Sequence, residues 1–401
     1  MTEQPPPALV PAGYASEIYL QGMGGVRPTL TTDTTALEDL ARTHMAPEPF
    51  WYVAGAAGSG ATARANRAAF DTLRIVPRML NGPTPRDLST TLFGRRFPVP
   101  VITAPVGVQS IVHADAELAV ARAAAALGVP MTVSTVSSFT LEQVAEASGE
   151  GERWFQLYWP NDEAVCASLL ERAQAAGYTV LVVTLDTWML GWRPHDLDHA
   201  YLPFLTGEGL ANYFDDPAFC AGLAKPPRDD LPAALMRWLP MFTGTDHSWA
   251  DLAFLREHWD GPIVVKGVQC VDDAKRALDA GMAGVVVSNH GGRQVDGAIA
   301  SLHALPEVAA AVGDQLDVLF DSGIRTGADI VKALALGAKA VLVGRPWVYG
   351  LALGGQEGVR HVLRCLLADL DLGLALSGHR AAAELGPADL AGVPAAVPGG
   401  G

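Results

Sequence analysis

From residue 100 onward, short unbroken apolar runs rich in β-branched residues alternate with longer stretches of small and mixed-polarity residues. The runs are VPVITAP, PMTVST, WFQLYW, YTVLVVTLDT, GPIVVKG, AGVVVSNHGG, LDVLFDSG and AKAVLVGRP. They lack apolar-polar alternation, as expected of parallel strands covered on both faces. Their apolar cores begin near positions 101, 131, 154, 179, 262, 283, 316 and 340. Most neighbours therefore stand one strand plus one helix apart. The stretches between them read as helices: Thr140 and Gln143 form a capping box ahead of one, and AELAVARAAAALG is an alanine-rich helix stopped at Gly128. Eight such units predict an α/β fold, a (β/α)8 TIM barrel.

The rhythm breaks once, at an interval of 83 residues after the fourth strand. That insertion, 189–258 with its flanks, carries five of the nine tryptophans: Trp188, Trp192, Trp238, Trp249 and Trp259. A long loop at the catalytic mouth is expected there, shaping substrate access or a subunit contact. Before the barrel come a proline-rich extension, 1–34, and a helical annex, 35–99, broken by a glycine-rich turn between Trp51 and Ala63. The barrel unit is expected to span 35–380, and 381–401 to form a flexible tail.

Composition narrows the function. A chain of 401 residues with 49% hydrophobic content has room for a large core, and the strand rhythm selects one barrel over two or three domains. The net charge of -15 offers no general attraction to nucleic acid or to an anionic bilayer. No apolar run is long enough to cross a membrane, and the N-terminus lacks the pattern of a secretory signal, so a cytoplasmic location is expected. Cys166, Cys220, Cys270 and Cys365 lie 54, 50 and 95 positions apart, which writes neither a CxxC centre nor a metal site. They read as buried thiols.

In such a barrel the residues just past the strand ends face the active site. Here they are Gln156 and Tyr158, Thr184 and Asp186, Lys266, then Ser288, His290 and Arg293, then Asp321 and Arg325, and finally Gly344 and Arg345. Polar groups at the end of every late strand are hard to explain by stability, because burying unpaired charge is costly. DSGIRTG at 321–327 and VGRP at 343–346 combine turn backbone donors with two arginines, which suits a phosphate. His290 is placed for acid-base work, with Asp186 to orient it. Arg193 and Arg293 suit bidentate recognition of a carboxylate. Tyr52 and Tyr158 either lend hydroxyls to the same substrate or belong to the core.

Lys266 admits two chemistries, a Schiff base of the aldolase kind or charge stabilisation at the edge of a flavin. No GxGxxG opens a strand-turn-helix unit, so a mononucleotide flavin is the economical cofactor. The arginine pair beside a histidine base favours removal of a proton from a 2-hydroxy acid. A non-catalytic barrel serving as an assembly module is the third alternative.

SNHGGRQ at 288–294, with FQLY at 155–158, TLDT at 184–187 and DSGIRTG, resembles the FMN-dependent α-hydroxy acid dehydrogenase and oxidase family from about residue 35 to 380. The resemblance implies FMN, a small L-2-hydroxy acid, molecular oxygen and a homo-oligomer, a tetramer or higher. It makes His290 the base, Asp186 its partner, Arg193 and Arg293 the carboxylate clamp, and Tyr52 and Tyr158 hydrogen-bond donors. FMN would be held by Ala104, Pro105, Val106 and Gly107, by Ser134, Gln156 and Thr184 along its ring, and by Lys266 and Ser288. Its phosphate would rest on Asp321, Gly323, Arg325, Gly344 and Arg345.

Within the family, EIYLQG, LDTWMLGWRP, the long insertion and SLHALPEV look most like the lactate 2-monooxygenase branch, which turns lactate and oxygen into acetate, carbon dioxide and water. The alternative is an oxidase that releases the 2-keto acid and hydrogen peroxide, on an acid larger than lactate. Gly107 replaces the usual alanine, and the missing methyl is expected either to open room for oxygen and keto acid or to serve a tight turn. Two further departures matter. Gly58-Ser59 lacks the usual aspartate, which puts the local turn in doubt, and Val136 replaces a larger residue, which enlarges the expected pocket.

Overall fold

The computed structural model describes residues 11–82, 84–242 and 247–392. Eight strands close a parallel barrel: β1 Val101–Thr103, β2 Met131–Ser134, β3 Arg153–Leu157, β4 Leu181–Thr184, β5 Ile263–Val268, β6 Gly284–Val287, β7 Asp317–Phe320 and β8 Ala340–Val343. Each pairs with the next in chain order, and β8 returns to β1 through Val341 opposite Val101 and Val343 opposite Thr103. All eight expected strands are present. The capping box at Thr140 and Gln143 opens the helix Leu141–Ser148 as its sequence requires.

Side chains alternate across each strand, and this period decides what fills the barrel. Ile102, Trp154, Val182, Val264, Val286, Leu319 and Leu342 belong to one inner cluster. Their chain neighbours, among them Val101, Phe155, Val183, Val265, Val285 and Val341, join the much larger core between barrel and helices. The inner cluster is closed from below by Leu92, Phe93 and Phe97 packing on Trp154. These come from a hairpin, Thr90–Leu92 paired with Arg95–Phe97, so the annex is not purely helical. Its helices Leu37–His44, Pro47–Ala54 and Ala61–Asp71 lie toward the catalytic mouth instead.

The insertion is folded rather than an open loop. It contains the helices Pro194–Asp198, Ala211–Phe214, Pro217–Ala221, Leu231–Phe242 and Leu252–His258. Tyr213, Phe219 and Trp238 are buried together, and buried Asp216 takes Arg172, Ser168 and the Phe219 N–H as partners. Trp238 and Trp259 are core residues, whereas Trp188 and Trp192 are exposed at the mouth.

Ahead of the annex, helix Gly13–Met23 docks on the C-terminal helix through Tyr14, which bonds His361 at 2.7 Å and lies under the Arg364 guanidinium. Residues 381–392 of the expected tail are folded: Leu390–Ala391 pairs with Arg74–Ile75. The rest of the tail, 393–401, and the first ten residues lie outside the described residues. The reading of four buried thiols needs correction. Cys166 and Cys365 are buried, but Cys220 is partly exposed, and Cys270, at the position just before the helix Val271–Asp279 after β5, is exposed. Among the described residues, no helix is long and apolar enough to cross a membrane, and no His/Cys/Asp/Glu group is arranged to hold a metal.

Candidate active site

Two positions beyond each inward-facing residue of the inner layer, the same strand period brings another side chain to the barrel's upper rim. Counting from Ile102, Thr132, Trp154, Val182, Val264, Val286, Leu319 and Leu342 gives Ala104, Ser134, Gln156, Thr184, Lys266, Ser288, Asp321 and Gly344. All eight were expected to hold a cofactor, and the backbone places them in one ring. Three make a polar row: Ser134 Oγ donates to Gln156 Oε1 at 3.0 Å, and Gln156 Nε2 to Thr184 Oγ1 at 2.9 Å. Across the ring, buried Lys266 Nζ lies 3.0 Å from Asp321 Oδ2 and donates to Ser288 Oγ at 3.0 Å. Burial alone would lower the lysine's pKa, but Asp321 and Asp186 outweigh it and hold Lys266 above its ordinary value. A lysine held in its charged form by two carboxylates is a poor Schiff-base nucleophile.

Beyond β6, Ser288–Gln294 forms a tight turn in which His290 itself has φ 58°. A non-glycine residue held there carries about 1–3 kcal/mol of strain, which the surroundings must impose. They do so from three sides. Asn289 exchanges two 2.7 Å amide hydrogen bonds with Asn66 of the annex, Ser322 Oγ accepts the N–H of Gly291 at 3.0 Å, and Ser288 Oγ accepts that of His290 at 3.1 Å. Gly292, at φ 77°, brings its Cα so close to the annex that a Cβ would stand 2.5 Å from the Ala63 nitrogen.

His290 Nδ1 meets Asp186 Oδ1 at 2.9 Å, as expected, and Thr187 Oγ1 lies 3.0 Å from both atoms. Burial lowers the imidazole's pKa, and Asp186 only partly opposes this, which favours the neutral ring. Burial raises the Asp186 carboxyl, but His290 and Lys266 outweigh that effect and keep it ionised. With Nδ1 engaged, Nε2 is the nitrogen left to accept a proton.

Arginines surround this base. Arg193 Nε donates to the Arg293 carbonyl at 3.1 Å and its NH2 to Gln294 Oε1 at 2.8 Å. Gln294 Nε2 in turn donates to the Asp186 carbonyl at 2.7 Å, tying the clamp to the dyad. Arg293 donates to Gly55 O at 2.9 Å and lies over the Tyr52 ring. Burial, with repulsion from Arg193 and Arg345, pulls the Arg293 pKa well below its ordinary value. Arg325 is lowered in the same way by burial and Arg345. Partly buried cations held below their ordinary pKa by one another suit an anion. The guanidinium of Arg345 is occupied by the carbonyls of Val53, Gly55 and Gly291, so it also secures the annex to the catalytic turn.

One pocket collects Tyr52, Ala104 to Gly107, Tyr158, Arg193, Lys266, His290, Arg293, Asp321, Gly323, Arg325, Gly344 and Arg345. Ser134, Gln156, Asp186 and Ser288 do not line it but adjoin residues that do, and Thr184 lines a neighbouring cavity that shares Tyr158 and Thr187 with it. Val108, Val112, Val136, Leu190 and Phe204 line the remaining, apolar part. Burial raises the phenols of Tyr52 and Tyr158, which keeps both as neutral donors.

Gly107 does not open free space. A Cβ there would meet the Val136 carbonyl oxygen at 2.5 Å and its Cγ2 at 2.6 Å, so the glycine permits a close approach of two loops. The turn at Gly58-Ser59 is equally accounted for. Asp296 supplies the missing carboxylate from across the site, accepting from the Ser59 N–H at 2.6 Å and the Ala61 N–H at 2.7 Å.

Thr187, Gln294, Asn66 and Ser322 were not singled out in the sequence. Thr187 and Gln294 sit inside the motifs TLDT and SNHGGRQ and were within reach. Asn66 lies 223 positions from its partner and carries no local signal.

Residues 41–392 match the profile of a family described as FMN-dependent dehydrogenase. An FMN-dependent alpha-hydroxy acid dehydrogenase, qulF, of Penicillium citrinum is 51% identical over 375 residues, covering 92% of this chain and 93% of its own. An L-lactate oxidase of Lysinibacillus sphaericus is 43% identical over 330 residues, with 82% and 85% covered. Among solved structures, mandelate oxidase with (S)-4-hydroxymandelic acid superposes with a TM-score of 0.79 at 40% identity, covering 88% of this chain and 97% of that one.

Proposed function

The chain belongs to the FMN-dependent dehydrogenase family, and from that premise we propose that it is an L-2-hydroxy acid oxidase that consumes oxygen and releases the 2-keto acid and hydrogen peroxide. The observation that carries this reading is His290, oriented by Asp186 at 2.9 Å, beside Arg193 and Arg293 in the pocket that also holds Lys266 and Arg325. The residues present fit FMN. Partly buried Arg325, the N–H groups of Arg345 left over from its three carbonyl bonds and the turn at Gly323 suit its phosphate, the row Ser134, Gln156 and Thr184 suits its ring, and the Lys266 ammonium suits a developing negative charge. When bound, FMN supplies a two-electron acceptor that oxygen can regenerate.

The chain's own residues do the rest. Arg193 and Arg293 hold the substrate carboxylate, and Tyr52 and Tyr158 donate to its oxygens. His290 Nε2 takes the proton, and Asp186 stabilises the imidazolium that results. The substrate's side chain enters the apolar end formed by Val108, Val112, Val136, Leu190 and Phe204. That chamber suits an acid larger than lactate, because each buried methylene adds about 0.8 kcal/mol of favourable transfer.

An oxidase outcome replaces the lactate 2-monooxygenase outcome suggested by the motifs. The relatives described above are a dehydrogenase and oxidases, and the missing methyl at Gly107, the sequence's argument for retained keto acid, leaves no added room. The exposed Trp188, Met189 and Trp192 suit a subunit contact in a homo-oligomer. The experiment is steady-state turnover of L-lactate, (S)-mandelate and (S)-4-hydroxymandelate with products quantified. Equimolar peroxide and 2-keto acid, with a larger acid preferred over lactate, is the expected result. A decarboxylated acid without free peroxide refutes the oxidase reading, and a clear preference for lactate refutes the larger substrate.

A further inference from the structure

Between the barrel and its outer helices, Glu117 is fully buried on the helix Ala116–Ala125, and no step above uses it. Its Oε1 accepts two backbone N–H groups, Gln109 at 3.3 Å and Ser138 at 3.0 Å. Its Oε2 has no hydrogen-bond partner, and neither do the buried Ser137 Oγ and Gln109 Oε1. The two donors come from different loops, one following β1 and the other following β2.

This one-sided pattern is informative. An ionised carboxylate spreads its charge over both oxygens, and leaving one buried without a donor is costly. A neutral carboxyl has one oxygen that only accepts and one that donates. Here one oxygen takes both loop N–H groups, and the other has beside it the Ser137 hydroxyl, whose oxygen can accept a proton from a neutral carboxyl. Burial raises the Glu117 carboxyl to about 7, against the pull of the N–H groups of Ser138, of Glu117 itself and of Gln109, and of the Ser137 hydroxyl, which is close to the carboxyl but outside hydrogen-bond geometry. These groups are neutral, as is the Tyr178 phenol, which also faces it.

Both loops are walls of the substrate chamber, through Val106, Gly107, Val108, Gln109 and Val112 on one side and Val136 on the other. They meet under constraint. Val108 is a β-branched residue at φ 57°, and its N–H donates to the Val136 carbonyl at 2.9 Å. Gln109 Nε2 donates to the Val106 carbonyl at 2.8 Å, and Ser110 N–H to Ser138 Oγ at 3.0 Å. Ser110 Oγ also donates to Glu208 of the insertion.

We propose that Glu117 is a positioning residue, a neutral carboxylic acid that bolts the loop after β1 to the loop after β2 and thereby fixes the apolar wall that selects the substrate's side chain. Its Oε2–H turns toward the Ser137 hydroxyl. Selection of the side chain rests on the proposed oxidation, whereas the protonation state does not.

The test compares the wild-type FMN-loaded protein with Glu117→Gln and Glu117→Leu. On the acid side of neutrality, the infrared difference between wild type and Glu117→Gln contains the carbonyl stretch of a protonated carboxylic acid. Absence of that band overturns the proposal. In kinetics, Glu117→Gln, which preserves a neutral acceptor and donor, keeps the ratio of kcat/KM for (S)-mandelate over L-lactate within about twofold of wild type. Glu117→Leu keeps FMN but shifts that ratio by about tenfold or more, because both backbone donors lose their partner and the wall relaxes. An unchanged ratio in Glu117→Leu, or an equal shift in both variants, overturns the proposal. If Glu117→Leu fails to fold, the infrared band and the Glu117→Gln ratio decide. If neither acid reduces the wild-type flavin, the proposed oxidation fails, and the infrared band alone decides on Glu117.

Discussion

His290 holds a left-handed backbone conformation, and the cost of that conformation is met by contacts from the annex and from the loop after β7. Strain at a catalytic position is tolerated when its surroundings over-determine it, and the imidazole is then pre-oriented for its task. Its depressed pKa gives a signed expectation. The base must be neutral to accept a proton, so kcat/KM for flavin reduction rises with pH as His290 deprotonates and levels off above that point. Since burial outweighs Asp186, the midpoint falls below the ordinary histidine value of about 6.5. A pH series of anaerobic flavin reduction checks this, and a midpoint above the ordinary value contradicts it.

Residue identities at the barrel rim were legible because a strand's period of two is written into the sequence. Once Val264 faces inward, Lys266 must as well. What Thr187 and Glu117 do was hidden. Thr187 follows Asp186 like any strand-end threonine, and Glu117 resembles an acidic residue in the first turn of a helix until its burial is seen.

At the scale of elements, the site is assembled where three pieces meet: the barrel rim, the annex and the insertion. The junction of annex and catalytic turn is the tightest. Gly292→Ala places a methyl against the Ala63 backbone and forces a left-handed alanine, which is expected to destabilise the protein by about 2 kcal/mol or more. The retreat of the helix Ala61–Asp71 also loosens the pair Asn66–Asn289, so flavin reduction slows together with the loss in Tm. Thermal unfolding alongside flavin-reduction rates checks both, and a variant with wild-type Tm and rate contradicts the account of this junction.

The strands and the helices between them were readable from the pattern of apolar runs. The hairpin that closes the barrel's lower end was not. Its strands are three residues long, two of them arginines, and its turn places Phe93 and Gly94 at φ 52° and 74°. A two-residue turn with both φ positive usually advertises itself by Asn-Gly or Asp-Gly, and phenylalanine in the first position conceals it. The insertion was recognised by its length and tryptophan content, but its small core around Tyr213, Phe219 and Trp238 depends on contacts between short helices that periodicity cannot resolve.

Over the whole molecule, a net charge of -15 coexists with a pocket lined by Arg193, Arg293, Arg325, Arg345 and Lys266. The proposed anion binding is therefore local, resting on clustered, partly buried cations that repel one another rather than on the protein's overall field. In the proposed reaction this pocket removes a proton from a 2-hydroxy acid with His290 while FMN takes the electrons. The most direct test is rapid anaerobic mixing of the FMN-loaded protein with (S)-mandelate or L-lactate, following flavin absorbance in wild type and in His290→Ala. Bleaching in wild type, with His290→Ala retaining FMN but bleaching about 10²-fold more slowly or worse, is the predicted result. Equal bleaching rates in the two proteins, or a wild-type flavin that neither acid reduces, would contradict it.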